Sequence, residues 1–173
     1  MSGAPDFAEP LEAWRVWRVV AADDGYRLGS VIKPTLWPPG EPLVADCLRT
    51  RPLVDWLRRR PRHGAPERSC ACGIYAAGLD RIAEYVSEAN APRTVACVVG
   101  RVSLWGDVVE CERGFRASHA YPQHIYLPQA GGRTRGARWE EVALSLADYR
   151  VPVEPLATRC EDAIRALTEV KAA

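Results

Sequence analysis

Two cysteines one residue apart, Cys70 and Cys72, stand directly ahead of Gly73 in this 173-residue chain. An imidazole, His63, and a third thiol, Cys47, lie upstream. Zinc takes four soft or borderline ligands at tetrahedral corners, and thiolate with imidazole suits it well. Cys47, His63, Cys70 and Cys72 are therefore a candidate structural zinc site, and Gly73 would let backbone N–H groups turn toward the sulfurs. The spacing leaves other chemistry open. C-x-C differs from the usual C-x₂₋₄-C pattern, and Cys47 lies far upstream of the pair. A thiol of lowered pKa beside Arg68 and a helix N-terminus would make Cys70 or Cys72 a nucleophile or redox centre, with His63, His119 or His124 as base. Buried free cysteines also serve as small hydrophobes, the role expected of Cys97 and Cys160.

A second group, Asp107, Glu110, Glu112, Arg113, Arg116, His119 and His124, falls within about one hairpin's length. Carboxylates and a histidine can do general acid–base work if they converge. Polar residues alternating along a half-buried strand give the same pattern. Among the aromatics, Trp37 before "PPG", Trp105 before Gly106, and Tyr121 are candidates to line a ligand pocket. The same rings could instead plug the end of a small barrel. The basic islands "RRRPRH" and "GGRTRGAR" are short, and no nucleic-acid module surrounds them.

Several elements must bring these groups together. "AWRVWRVVAA", the turn "DDG" and "YRLGSVI" read as a hairpin. "KPTLWPPGEP" holds four prolines and is a stiff loop. "LVADCL" is a short strand ending near Cys47. Residues 49–69, rich in Arg and Pro, read as a long irregular loop. Leu79, Ile82, Ala83 and Val86 have helical spacing. From Thr94 to Leu127, short Val-rich runs are broken by Gly100, Gly106 and Gly114, which mark bulges and a hairpin turn. Trp139, Val142, Ala143 and Leu146 predict a helix, and Leu156, Cys160, Ile164 and Leu167 another. The order gives an α+β fold: a small curled antiparallel sheet or partial barrel, one central helix and two C-terminal helices. In domain terms, 1–10 is a flexible lead-in, 11–130 the core, 131–136 a linker, and 137–173 a helical pair packed on that core.

Composition narrows the function. A net charge of +1 provides no overall field to recruit nucleic acid or a membrane. No apolar run reaches the roughly 18 residues a membrane span needs, and "MSGAPDFAEP" lacks the basic and apolar regions of a secretory signal. Six cysteines without an export signal suggest reduced thiols and a cytoplasmic location.

"CACGIYA" (Cys70–Ala76), "GRVSLWG" (Gly100–Gly106) and "AYP" (Ala120–Pro122) are similar to segments shared by small uncharacterised bacterial proteins. The resemblance covers about Cys47 to Tyr126. It implies that the cysteine turn and the tryptophan hairpin form one unit, and it brings no activity with it. The expectation is a non-catalytic binding or adaptor domain for another protein or a small ligand. A thiol-dependent enzyme or redox protein is the alternative.

Overall fold

The computed structural model describes residues 9–47, 63–89, 93–129 and 138–172. Most of the lead-in, residues 49–62 of the Arg/Pro-rich loop, and the 131–136 linker lie outside these residues, as do most of the two basic islands.

The fold is α+β, with an open seven-stranded sheet. β1 (Leu11–Ala22) and β2 (Gly25–Gly29) form the first hairpin, and β5 (Thr94–Cys111) and β6 (Gly114–Pro128) the second. β1 pairs with β5, giving the order β2-β1-β5-β6. The far edge of β6 is shared by three short strands. β4 (Ile74–Ala76) pairs with its start, β3 (Leu43–Val44) with its middle and β7 (Val153–Leu156) with its end. β7 runs parallel to β6 and all other pairs are antiparallel. The sheet curls enough for Trp14 of β1 to exchange backbone hydrogen bonds of 2.8 and 2.9 Å with Ala77, just past β4.

Alternation along β1 and β5 loads both faces of the sheet with apolar groups. Trp17, Val98, Val102 and Leu104 point into one core, Val16 and Val99 into the other. The first core is closed by Trp37, by Val142 and Leu146 of the helix Trp139–Leu146, and by Tyr149. The second is closed by Leu79, Ile82 and Val86 and by Cys160 and Ile164 of the helix Cys160–Ala172. The central helix is less regular than its spacing predicts. It runs as Leu79–Ile82, a 3-10 turn Ala83–Tyr85, then Val86–Ala89, and Ala83 faces solvent.

Bulges lie where the glycines predicted them, just beyond Gly100 and around Gly106, but the Val-rich runs are one continuous strand rather than separate ones. A Cβ at Gly100 would collide with the His124 carbonyl oxygen, so the residue allows close approach of β6 rather than a break. Leu156, read as helical, is the last residue of β7; Pro155 precedes it, and the helix begins at Cys160.

Candidate metal centre

β3 and β4 occupy β6 one after the other, and the thiols gather at the handover. β3 pairs through Val44 with His119, and the Ala45 N–H still donates to the Ser118 carbonyl at 2.7 Å. The chain then leaves the edge and reaches Cys47 two residues later. β4 takes over with Ile74 opposite Ala117, so Cys72 and Gly73 arrive where Cys47 departs. Two segments far apart in sequence thus place their cysteines side by side because each must pair with the same strand.

The ligand atoms of Cys47, His63, Cys70 and Cys72 all lie within 4.8 Å of one another, an arrangement that could hold a metal ion. The Cys47 and Cys70 sulfurs are 3.8 Å apart, and the Cys72 sulfur is 3.4 Å from His63 Nε2. A tetrahedron with metal–sulfur bonds of about 2.3 Å and a metal–nitrogen bond of about 2.0 Å has S···S edges of about 3.8 Å and S···N edges of about 3.5 Å. Cys47 and Cys72 are buried, Cys70 is half-buried and His63 is exposed, leaving the imidazole side open for entry.

Backbone amides feed the sulfurs. The Glu67 N–H donates to the Cys72 sulfur at 3.3 Å, and the Cys72 N–H donates to the Cys70 sulfur. The donors are thus Glu67 and Cys72, while Gly73 contributes backbone shape. Its φ is 118°, and an added Cβ would stand 2.9 Å from Pro66 Cβ and 3.1 Å from Arg116 Cβ. Gly73→Ala should therefore destabilise the protein by about 1–3 kcal/mol, measured by urea unfolding. Full retention of stability would show that the turn relaxes freely.

Arg116 fixes the turn from below. It is 6% exposed, and its Nη1 donates to the carbonyl oxygens of Glu67 at 3.2 Å, Cys72 at 3.0 Å and Cys70. Its Nε donates to the Cys111 sulfur at 3.0 Å, the main reason its pKa is pushed up. Strand alternation assigns Arg116 to solvent, so its sequence pattern gave no sign of this role.

The thiols do not titrate alike. Burial opposes ionisation of Cys70, but hydrogen bonds from the Cys72 N–H, Cys47, Cys72 and His63 outweigh it and pull the thiol down to about 7. Cys72 is pushed up, first by burial and then by the neighbouring Cys70 and Cys47. One proton leaves readily and another is held back until a cation compensates the charge. Cys97 lies elsewhere, its sulfur 2.7 Å from that of Cys160. Its pKa is driven well above the ordinary value by that contact and by burial. In metal-free protein at pH 7.5, Cys70 should alkylate at least about tenfold faster than Cys97, as read by mass-spectrometric peptide mapping. Equal rates would contradict this ordering.

The second constellation does not converge into a site. Asp107, Glu110 and Glu112 are exposed. His119 stacks on Trp105 and bonds Ser118 Oγ at 2.9 Å, whereas His124 stacks on Tyr126 and meets Glu154 at 3.3 Å. Trp37 is 1% exposed and packs edge-on against Trp17, so its surface is spent in the core. The Tyr121 hydroxyl accepts from the Gly40 N–H at 2.7 Å and donates to the Tyr149 carbonyl at 2.9 Å, tying the proline loop to the core. Trp105 is half-buried.

No family model, curated protein or solved structure matches the chain. Among the described residues, no helix is long and apolar enough to cross a membrane.

Proposed function

We propose that the protein is a non-catalytic, cytoplasmic binding domain whose Cys47–His63–Cys70–Cys72 cluster holds a structural zinc. The supporting observation is that the Cys47–Cys70 sulfur separation and the Cys72–His63 sulfur–nitrogen separation match two edges of a tetrahedral zinc site, with all four ligand atoms within 4.8 Å of one another. Three thiolates and an imidazole fill all four positions, leaving no open site for substrate or water, as in zinc sites that serve structure. The amides directed at the sulfurs and the Arg116 clamp on their carbonyls are the outer support such sites use.

Metal analysis of protein purified without chelator tests this reading. About one zinc per chain is expected, and cobalt substitution should give the intense visible spectrum of tetrahedral thiolate coordination. Less than about 0.2 zinc per chain, with no uptake of added zinc, would end the proposal. A thiol-dependent activity is the second reading, favoured by the Cys72–His63 contact and the lowered pKa of Cys70. It requires rapid alkylation of Cys70 in protein as purified, whereas bound zinc would protect that thiol.

A further inference from the structure

A cavity of about 660 Å³ opens against the metal centre, with Cys47, Cys70 and Cys72 in its wall and β1, the segment after β2, β3, β4 and the central helix completing it. Its size lies in the range of small-molecule sites. Ile32, Val44 and Tyr75 line it and are 63%, 61% and 38% exposed, an apolar surface left facing the opening.

The wall also contains Arg15, whose surroundings are unusual for a guanidinium. Its Nη1 donates to the Tyr75 carbonyl and its Nη2 to Ser30 Oγ at 3.1 Å, and the group lies 5.1 Å from the centre of the Trp37 ring. Nε is shut from solvent and has no hydrogen-bond partner, and no ion pair to Arg15 occurs among the described residues. Burial lowers its pKa to about 10, opposed only in part by Tyr85. Arg15 is half-buried overall, and a partly desolvated cation without a carboxylate is costly unless something supplies the missing charge. Lys33 is a second cation in the lining, and Asp46 contributes a carboxylate to it.

We infer that this cavity binds a small organic monocarboxylate with an apolar body, its carboxylate paired with Arg15 and its hydrocarbon part held along Ile32, Val44 and Tyr75. A guanidinium fork matches a carboxylate in geometry as well as charge. The apolar lining gives the remainder of the ligand a place out of water. This inference rests on the reading of the chain as a binding domain; it does not depend on which metal the neighbouring cluster holds.

Calorimetric titration with decanoate, compared with decan-1-ol as its uncharged counterpart, tests it. Decanoate should bind once per chain, and decan-1-ol at least about tenfold more weakly. Arg15→Met removes a half-buried charge that has no ion pair among the described residues while keeping an apolar contact with Trp37, so the variant should fold and lose the preference for decanoate. Ile32→Glu, at a largely exposed position, should weaken decanoate at least about tenfold with an unchanged melting temperature. No binding of decanoate, equal binding of decanoate and decan-1-ol, or unaltered decanoate binding by either variant would overturn the inference. Zinc content is measured on the same samples. Absence of decanoate binding at full zinc occupancy refutes the cavity ligand alone, and decanoate binding by protein that neither carries nor takes up zinc refutes the metal reading alone.

Discussion

Stripping the metal, or replacing Cys72 by Ser, should loosen the 63–73 turn while leaving the β5–β6 hairpin folded. The two cores are built around Trp17, Leu104 and Leu146 on one face and Val16, Val99 and Ile164 on the other, and no ligand of the cluster belongs to either. A domain of this length buries enough apolar surface to fold without a metal staple. The turn has no comparable core; the Arg116 contacts order it, and under the proposed zinc reading ligation adds to them. Hydrogen exchange should therefore accelerate about a hundredfold at residues 67–73 and change little at 98–104. Zinc at a thousandfold excess over its Kd contributes about 4 kcal/mol by mass action, so the melting temperature should fall by about 10 °C for a chain of this size. Unchanged exchange in the turn would mean that the cluster is ordered without metal. The pH dependence has a definite sign. Binding requires the thiols to give up protons, so affinity falls as pH falls, and Cys72, with its raised pKa, is the thiol most easily reprotonated.

Outside the ligands themselves, Arg116→Ala should be the substitution that most weakens the cysteine turn. It removes the donor for the carbonyls of Glu67, Cys70 and Cys72 and the partner of the Cys111 sulfur in one step. Carbonyl groups left unpaired cost about 1–3 kcal/mol each where water cannot reach them. Some of the three will hydrate, giving an expected net loss of about 3 kcal/mol in urea unfolding. Zinc affinity should fall about 10–100-fold, as it does when outer contacts of a metal site are removed, measured by competition with a chromophoric chelator. Arg116→Lys should recover only part of this, because one ammonium cannot reproduce a fork that spans the carbonyls and Cys111 together. If Arg116→Ala and wild type hold zinc equally, the clamp has no part in positioning the ligands.

The candidate ligands were legible because thiols and imidazoles have few uses, and four of them flank one irregular segment. Their convergence was not legible, since it follows from β3 and β4 sharing an edge of β6, a pairing without local signature. The hairpins and the two C-terminal helices follow short-range periodicity and turn chemistry and could be read directly. Gly100 was legible as a bulge position, but not that its missing side chain admits the His124 carbonyl of β6, because a glycine that marks a bulge looks the same as one that allows close packing. The role of Arg116, grouped in sequence with the hairpin's polar residues, and that of Arg15 were hidden for a related reason. An arginine on a strand normally signals solvent, and only the neighbouring chain shows that carbonyls and an aromatic ring surround it.

The three short strands along β6 have a consequence for how the protein behaves in a crowded solution. A 15-residue strand with a bare edge would invite a second chain to add to it. Here that edge is capped piecewise, and the caps at residues 115–120 are β4 and β3, the strands that lead into and out of the cysteine turn. Loss of the metal would therefore release the covers of a polymerisable edge. Chelated protein should self-associate at concentrations where the intact protein stays monodisperse by light scattering. The cluster would then act as a safeguard against intermolecular strand addition.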